Sequence, residues 1–207
     1  MNLHEFYTHP SYDQTPEITA IQPHITNNTL FVGNYSATLA KHFPETYAAL
    51  PDQNLLFALQ TDNDADIKYA GASTNTLPYP DNSFEVIISA YNMTHKNKQL
   101  LQELKRVSKH KLIIIEADTE SAYTQILQNI KEKPLTHPQT LLEELSQYNI
   151  IEEIIESTYT FNDKKEFSNY IQTELQEHEN ETIPTEEIQT HYQQTIQEKA
   201  LMLVCEK

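Results

Sequence analysis

Short apolar runs and amphipathic stretches alternate along the first two-thirds of the chain. TLFVG (29–33) is an apolar run that stops at glycine, as a buried strand does. SATLAKHF (36–43) follows with Leu39 and Phe43 one helical turn apart, and Pro44 ends it. TYAAL (46–50) reads as a second buried strand. Asp52 is then placed to N-cap a helix over NLLFALQ, and IKYAGA (67–72) is a third short strand. After the turn-rich TLPYPDNSF comes FEVIISAY (84–91), the clearest buried strand. Leu100, Leu101, Leu104 and Val107 line one face of a helix, and KLIIIEA (111–117) is a fifth strand.

Beyond that point the pattern is more polar. A helix is expected within 119–131. Thr136 with Gln139 forms a capping box, followed by an apolar face of Leu141, Leu142, Leu145 and Tyr148. Residues 150–161 read as a strand of mixed exposure, 163–178 and 185–197 as polar helices, and ALMLVCEK as a closing strand. Alternation of strand and helix through five strands predicts an α/β fold: a Rossmann-like, mostly parallel seven-stranded sheet with helices on both faces and an antiparallel last strand. The expected organisation is a single domain over 1–207, with an N-terminal lid segment at 1–28 and a helical insertion at 163–197 between the last two strands.

Charge and composition narrow the partners. The chain of 207 residues carries 30 acidic and 14 basic side chains, a formal net charge of −16. Phosphate neutralisation drives nucleic-acid binding, so neither a nucleic acid nor an anionic membrane is expected as partner. The densest basic stretch, KRVSKHK (105–111), reads as a solvated helix end that complements the helix dipole. No apolar run approaches the ~20 residues of a membrane span, and the N-terminus lacks the form of a signal peptide. Cys205 is the single cysteine, which fits a reducing cytoplasm, and it reads as a core residue. Only two glycines are present, so tight turns must use other residues.

GASTNTLPYPDNSFEVIISAYNMTH (71–95) and QLLQELKRVSKHKLIIIEAD (99–118) resemble, in order and spacing, the class I S-adenosylmethionine-dependent methyltransferases, the small type 11 group in particular. HPQTLLEELSQYNIIEEIIE is similar to that family's late helix and sixth strand. The resemblance implies a cofactor pocket at the carboxyl ends of the strands, at Gly33, Asn34, Tyr35, Ser36, Leu50, Asp52, Ala72, Ser73 and Tyr91. It also implies a lid residue at Tyr12, next to Asp13, and a substrate-facing Asn92.

This chain departs from the family at its ligand positions. The first strand's Asp-x-Gly-x-Gly-x-Gly falls on Phe31, Gly33, Tyr35 and Ala37, so only the first glycine is kept. The acidic residue that takes the ribose hydroxyls falls on Leu50, and the Asp that contacts the adenine amino group falls on Ala72. Four independent losses are expected to leave no cofactor, or weakly bound S-adenosylmethionine.

Two functions follow. One is a non-catalytic methyltransferase-like scaffold or regulatory subunit, paired with itself or with another protein. The other is an active methyltransferase on a small molecule, with an atypical pocket. A pocket repurposed for another ligand, with Tyr35 as a stacking face, is a third and weaker reading. His95, after the fourth strand, is a candidate general base or an exposed loop histidine. Glu116 with Asp118, Glu174 with His178 and Glu187 with His191 are polar pairs of a kind more often solvated than metal-binding, and no metal is expected.

Overall fold

The computed structural model describes residues 13–62, 66–73, 76–92, 98–118, 121, 124–126, 129, 139–179 and 183–207. Among them the order is α1 (Thr15–Ile21), a 3-10 turn (Gln22–His24), β1 (Thr29–Val32), α2 (Asn34–Leu39, continuing as a 3-10 turn Ala40–His42), β2 (Tyr47–Leu50), α3 (Gln53–Thr61), β3 (Lys68–Gly71), β4 (Phe84–Ala90), α4 (Lys98–Val107), β5 (Ser108–Ala117), α5 (Gln139–Glu144), β6 (Asn149–Thr160), α6 (Lys164–Glu179), α7 (Thr185–Gln189) and β7 (Thr195–Glu206).

The strands form one seven-stranded sheet in the order β3-β2-β1-β4-β5-β7-β6. The β1–β2, β1–β4, β2–β3 and β4–β5 ladders are parallel, and β5-β7-β6 are antiparallel. The expected α/β class, the mostly parallel sheet and the antiparallel last strand are all present.

By contact the chain divides into two compact units: Gln14–Glu116 with Pro138–Ile155 and Leu201–Lys207, and a smaller one of Met1–Asp13, Ala117–His137 and Glu156–Ala200. The core of the larger unit is the apolar strand set. Leu30, Val32, Ala49, Ile87, Leu112 and Ile114 pack against Leu100, Leu101, Leu104 and Val107 of α4, so the predicted helix face is the buried one. Leu145 joins this core, and Leu141, Leu142 and Tyr148 pack against it. Cys205 lies in the same cluster, and burial pushes its thiol up to about 11, as a core residue requires.

The smaller unit gathers aromatic rings. Phe161 meets Phe167 edge-on at 5.3 Å and Tyr170 at 5.3 Å, and Phe167 meets Tyr192 at 5.6 Å. Asp163 caps α6 by accepting from the Lys165 and Glu166 amides, while Glu166 accepts from the Asn162 amide.

Three local expectations change. The helix expected over 185–197 ends at Gln189, and β7 begins at Thr195 rather than at Ala200. Ile196, Glu198 and Ala200 alternate inward with exposed or half-buried neighbours, so a period of two is present there under a polar composition. Secondly, Glu187 and His191 share no helix face, because α7 stops between them. Thirdly, Arg106 is not a freely solvated helix end. Its guanidinium grips Glu103 at 2.7 Å through both carboxylate oxygens, and donates to Asp81 Oδ1 at 2.9 Å and to the Tyr79 and Leu77 carbonyls at 2.7 and 3.1 Å. Glu103 Oε2 in turn accepts from the Leu77 amide at 2.9 Å. One arginine thereby fastens the Leu77–Asn82 loop to α4. The Thr136 capping box, Glu174 with His178, and most of 119–131 lie outside the described residues or side chains.

The Arg106 hydrogen bonds hold the Glu103 carboxyl down to about 2. A carboxyl harder to protonate folded than unfolded adds stability above its ordinary range, and that contribution is lost as pH falls towards 2. Arg106→Ala should cost about 2 kcal/mol in urea unfolding at neutral pH, and should flatten the decline in stability between about pH 5 and pH 2.

Candidate functional site

Parallel strands end together, and their register decides which residues meet. Val32 of β1 pairs with Ala49 of β2 and Ser89 of β4, and Leu50 pairs with Gly71 of β3. Gly33, Asp52, Ala72 and Tyr91 therefore emerge at one edge of the sheet, where open α/β sheets bind ligands.

Gly33 is the turn between β1 and α2. Its φ of 101° lies where residues with a Cβ are strained. Its amide donates to the Ala49 carbonyl at 2.9 Å, and its carbonyl accepts from Ala37 at 2.9 Å. The space above it belongs to Asn92: a Cβ on Gly33 would lie 2.6 Å from Asn92 Nδ2 and 2.9 Å from its Cγ. The Asn92 amide donates to Glu116 Oε1 at 3.1 Å, which fixes the turn after β4.

Tyr35 does not project into solvent. It is 2% exposed, and its ring meets Tyr91 edge-on with centroids 5.0 Å apart. Tyr91 holds a left-handed backbone, φ 53°, which costs a non-glycine residue about 1–2 kcal/mol. Contacts at both ends hold it there. Its amide donates to the Ile115 carbonyl at 2.7 Å, and its hydroxyl donates to Glu17 Oε1 at 2.9 Å. Glu17 is fully buried in α1. Ser36, also buried, accepts the Ala90 amide at 2.7 Å and so ties α2 to the end of β4.

Around the end of β2, Leu50 is fully buried and Asp52 is half-buried. Asp52 is the N-cap predicted for α3: Oδ1 accepts the Leu55 amide at 2.6 Å, and its own amide donates to Asn34 Oδ1 at 3.3 Å. Ala72 donates its amide to the Leu50 carbonyl at 3.0 Å, and the Ser73 hydroxyl donates to the Thr76 carbonyl at 3.4 Å.

The structure thus brings Gly33, Asn34, Tyr35, Ser36, Leu50, Asp52, Ala72, Tyr91 and Asn92 to the carboxyl ends of β1, β2, β3 and β4, with Ser73 just past β3. Tyr12 and His95 lie outside the described residues. Glu17 was not anticipated; its only sequence signal is its position four before Ile21, the other buried residue of α1. Asp118 is engaged through its backbone with Lys199 and Thr124. Among the described residues no group of three or more His, Cys, Asp or Glu side chains is arranged to hold a metal ion. No helix among them is long and apolar enough to cross a membrane.

This sheet order, with the site at these strand ends, is the class I methyltransferase fold. The segment from residue 31 to residue 115 matches the family model described as methyltransferase domain. The YcgJ protein of Bacillus subtilis superposes with a TM-score of 0.61 at 13% identity, over 94% of this chain and 99% of that one. A SAM-dependent methyltransferase from Aquifex aeolicus gives 0.56 at 13% identity, over 100% and 98%. The geranyl diphosphate C-methyltransferase of Streptomyces coelicolor, solved with Mg2+, geranyl diphosphate and S-adenosyl-L-homocysteine, gives 0.52 at 9% identity, over 96% and 83%. At such identities the likeness is one of fold. No curated protein matches the chain by sequence.

Gly33→Ala should lower stability by about 1–2 kcal/mol in chemical denaturation, because its φ disfavours any Cβ. The loss should be nearly as large in an Asn92→Gly background. The Asn92 side chain can swing aside, whereas the backbone angle remains; a loss that vanished there would assign the cost to the clash instead.

Proposed function

We propose that this chain is a methyltransferase-like protein in which ordinary S-adenosylmethionine binding is weak or absent, kept as a non-catalytic scaffold or regulatory subunit. The observation that supports it most is the Asn92 carboxamide lying on the backbone of Gly33. Two residues on, where by the resemblance a second glycine would let the methionine part of the cofactor lie against bare backbone, this chain has Tyr35, its buried ring against Tyr91. Leu50, fully buried at the end of β2, offers no acceptor to ribose hydroxyls, and each buried hydroxyl left unpaired costs about 1–3 kcal/mol. Ala72 likewise has no side-chain acceptor for an adenine amino group. Several kcal/mol lost in this way move an affinity from the micromolar towards the millimolar range.

In this reading the residues at the strand ends serve the fold. Ser36 joins α2 to β4, Tyr91 joins β4 to β5 and α1, and Asp52 starts α3. No group among them is assigned a chemical step.

A second reading, an active methyltransferase on a small molecule, is favoured by one feature: Asn34 and Asp52 set polar side chains beside the end of β2, both half-buried. An acceptor displaced from Leu50 to Asp52 is the way such a pocket would hold a ribose. The solved relatives named for SAM-dependent activity lend this reading their fold.

Calorimetric titration with S-adenosylmethionine and S-adenosylhomocysteine, carried to about 1 mM, separates the two. The scaffold reading expects no saturable heat below that concentration; micromolar binding overturns it. Replacing Tyr35→Gly together with Leu50→Asp should then begin to restore binding, and no recovery would mean that the family positions are wrongly matched.

A further inference from the structure

β6 is the last strand in the sheet order, so one of its backbone edges has no neighbouring strand among the described residues. Edge strands are normally blunted by brevity, proline, a bulge or charged side chains, lysine above all, and a charge that repels a like strand leaves the edge open to one of opposite charge. β6 is twelve residues long, and NIIEEIIESTYT contains neither proline nor lysine. Its first half, Asn149–Ile155, lies within the larger unit. There the strand is anchored by Ile150, packed against the core, and by Ile155, 5% exposed. Yet Ile151 and Ile154 are 47% and 54% exposed. Apart from Phe57 on α3, these are the exposed large hydrophobic residues among those described. Between them stand Glu152 and Glu153, both exposed, and Glu156 follows.

We infer that this half of β6 is a docking edge for an extended segment of a protein partner, one with two adjacent basic residues flanked by apolar ones. Added as an eighth strand, such a segment takes its main-chain hydrogen bonds from the open edge. In a ladder, directly opposed residues share a face, so each side chain of the guest meets one of the host. Opposite Ile151 and Ile154 an apolar residue fits, one on each face of the sheet. Opposite Glu152 and Glu153 a lysine or arginine fits. The required pattern is apolar–basic–basic–apolar, which reads the same in either strand direction.

A second copy of this chain fits worse. The antiparallel register that matches Ile151 with Ile154 of the other copy also sets Glu152 against Glu153, and like charges directly opposed are destabilising. The net charge of −16 adds repulsion at longer range. One basic group does face these acids: His24 interacts with Glu153, but burial and then Lys111 hold its imidazole below the ordinary range, towards the neutral form. Lys111 is engaged with Glu206 at 3.1 Å and lies 3.4 Å from His24 Nδ1. The docking edge does not depend on whether S-adenosylmethionine binds, so it stands or falls apart from the cofactor titration.

The test is an amide-shift titration of the intact protein with the peptide Thr-Val-Lys-Lys-Val-Thr, and with Thr-Val-Glu-Glu-Val-Thr as its control. The expected result is saturable shifts centred on Asn149–Ile155 with the lysine peptide alone, weakening as salt screens the charges. The double variant Glu152→Lys/Glu153→Lys, at exposed positions, should bind the lysine peptide about tenfold more weakly and gain binding of the glutamate peptide. Circular dichroism confirms that this variant is folded. Absence of shifts on β6, or shifts that the charge reversal leaves unchanged, overturns the proposal. So does a dimer in sedimentation that Ile154→Thr dissociates, since the occupant is then a second copy.

Discussion

Burial of the central strands on both faces is the constraint on which the structure depends. A strand with apolar neighbours above and below cannot face water on either side, so a parallel sheet needs a helix layer on each face. β1 is buried at every position, and Leu112 through Ile115 of β5 are fully buried. Each crossover returns the chain to the same end of the sheet. The carboxyl ends of β1, β2, β3 and β4 are thus assembled by packing before any ligand chemistry is considered. The site is a consequence of the core.

What the chain does with that edge is to bond to itself. Ser36 holds the end of β4, Asn92 covers Gly33, and Glu17 reaches from α1 to the hydroxyl of a tyrosine held at positive φ. Strain at such a position persists only where surrounding contacts over-determine it, and Tyr91 has contacts at its amide, ring and hydroxyl. The strand ends are knit together by the chain's own side chains, and β6 leaves an acidic edge at the end of the sheet order. These two features arise in different parts of the sheet and from different physics: close packing at one, an unfinished hydrogen-bond ladder at the other.

Much of the architecture was legible in the residue pattern. TLFVG, TYAAL, FEVIISAY and KLIIIEA lie within a residue or two of the observed strands at most of their ends, and the α4 stripe was named residue for residue, because burial on one face leaves a period that side-chain chemistry exposes directly. Asp52 was legible as a cap for the same reason: its bond is local. The start of β7 is not legible, since Thr195–Lys199 is polar in composition and only its partners in the sheet make it a strand. Local charge makes Arg106 look like a solvated helix end, whereas its role comes from a loop more than twenty residues earlier.

The sequence by itself determined the layer architecture and the positions at the strand ends, and it carried the resemblance by which Phe31, Tyr35, Leu50 and Ala72 match polar or bare positions of the family. Those follow from the order of apolar runs and the identity of single residues. Only the tertiary structure decided where those side chains go: Tyr35 inward against Tyr91, Asn92 over Gly33, Glu17 buried beneath the Tyr91 hydroxyl. Such contacts join residues tens of positions apart, from Tyr35 with Tyr91 (91 − 35 = 56) to Glu17 with Tyr91, 74 apart, and no local pattern encodes a meeting that the folding of a whole sheet brings about.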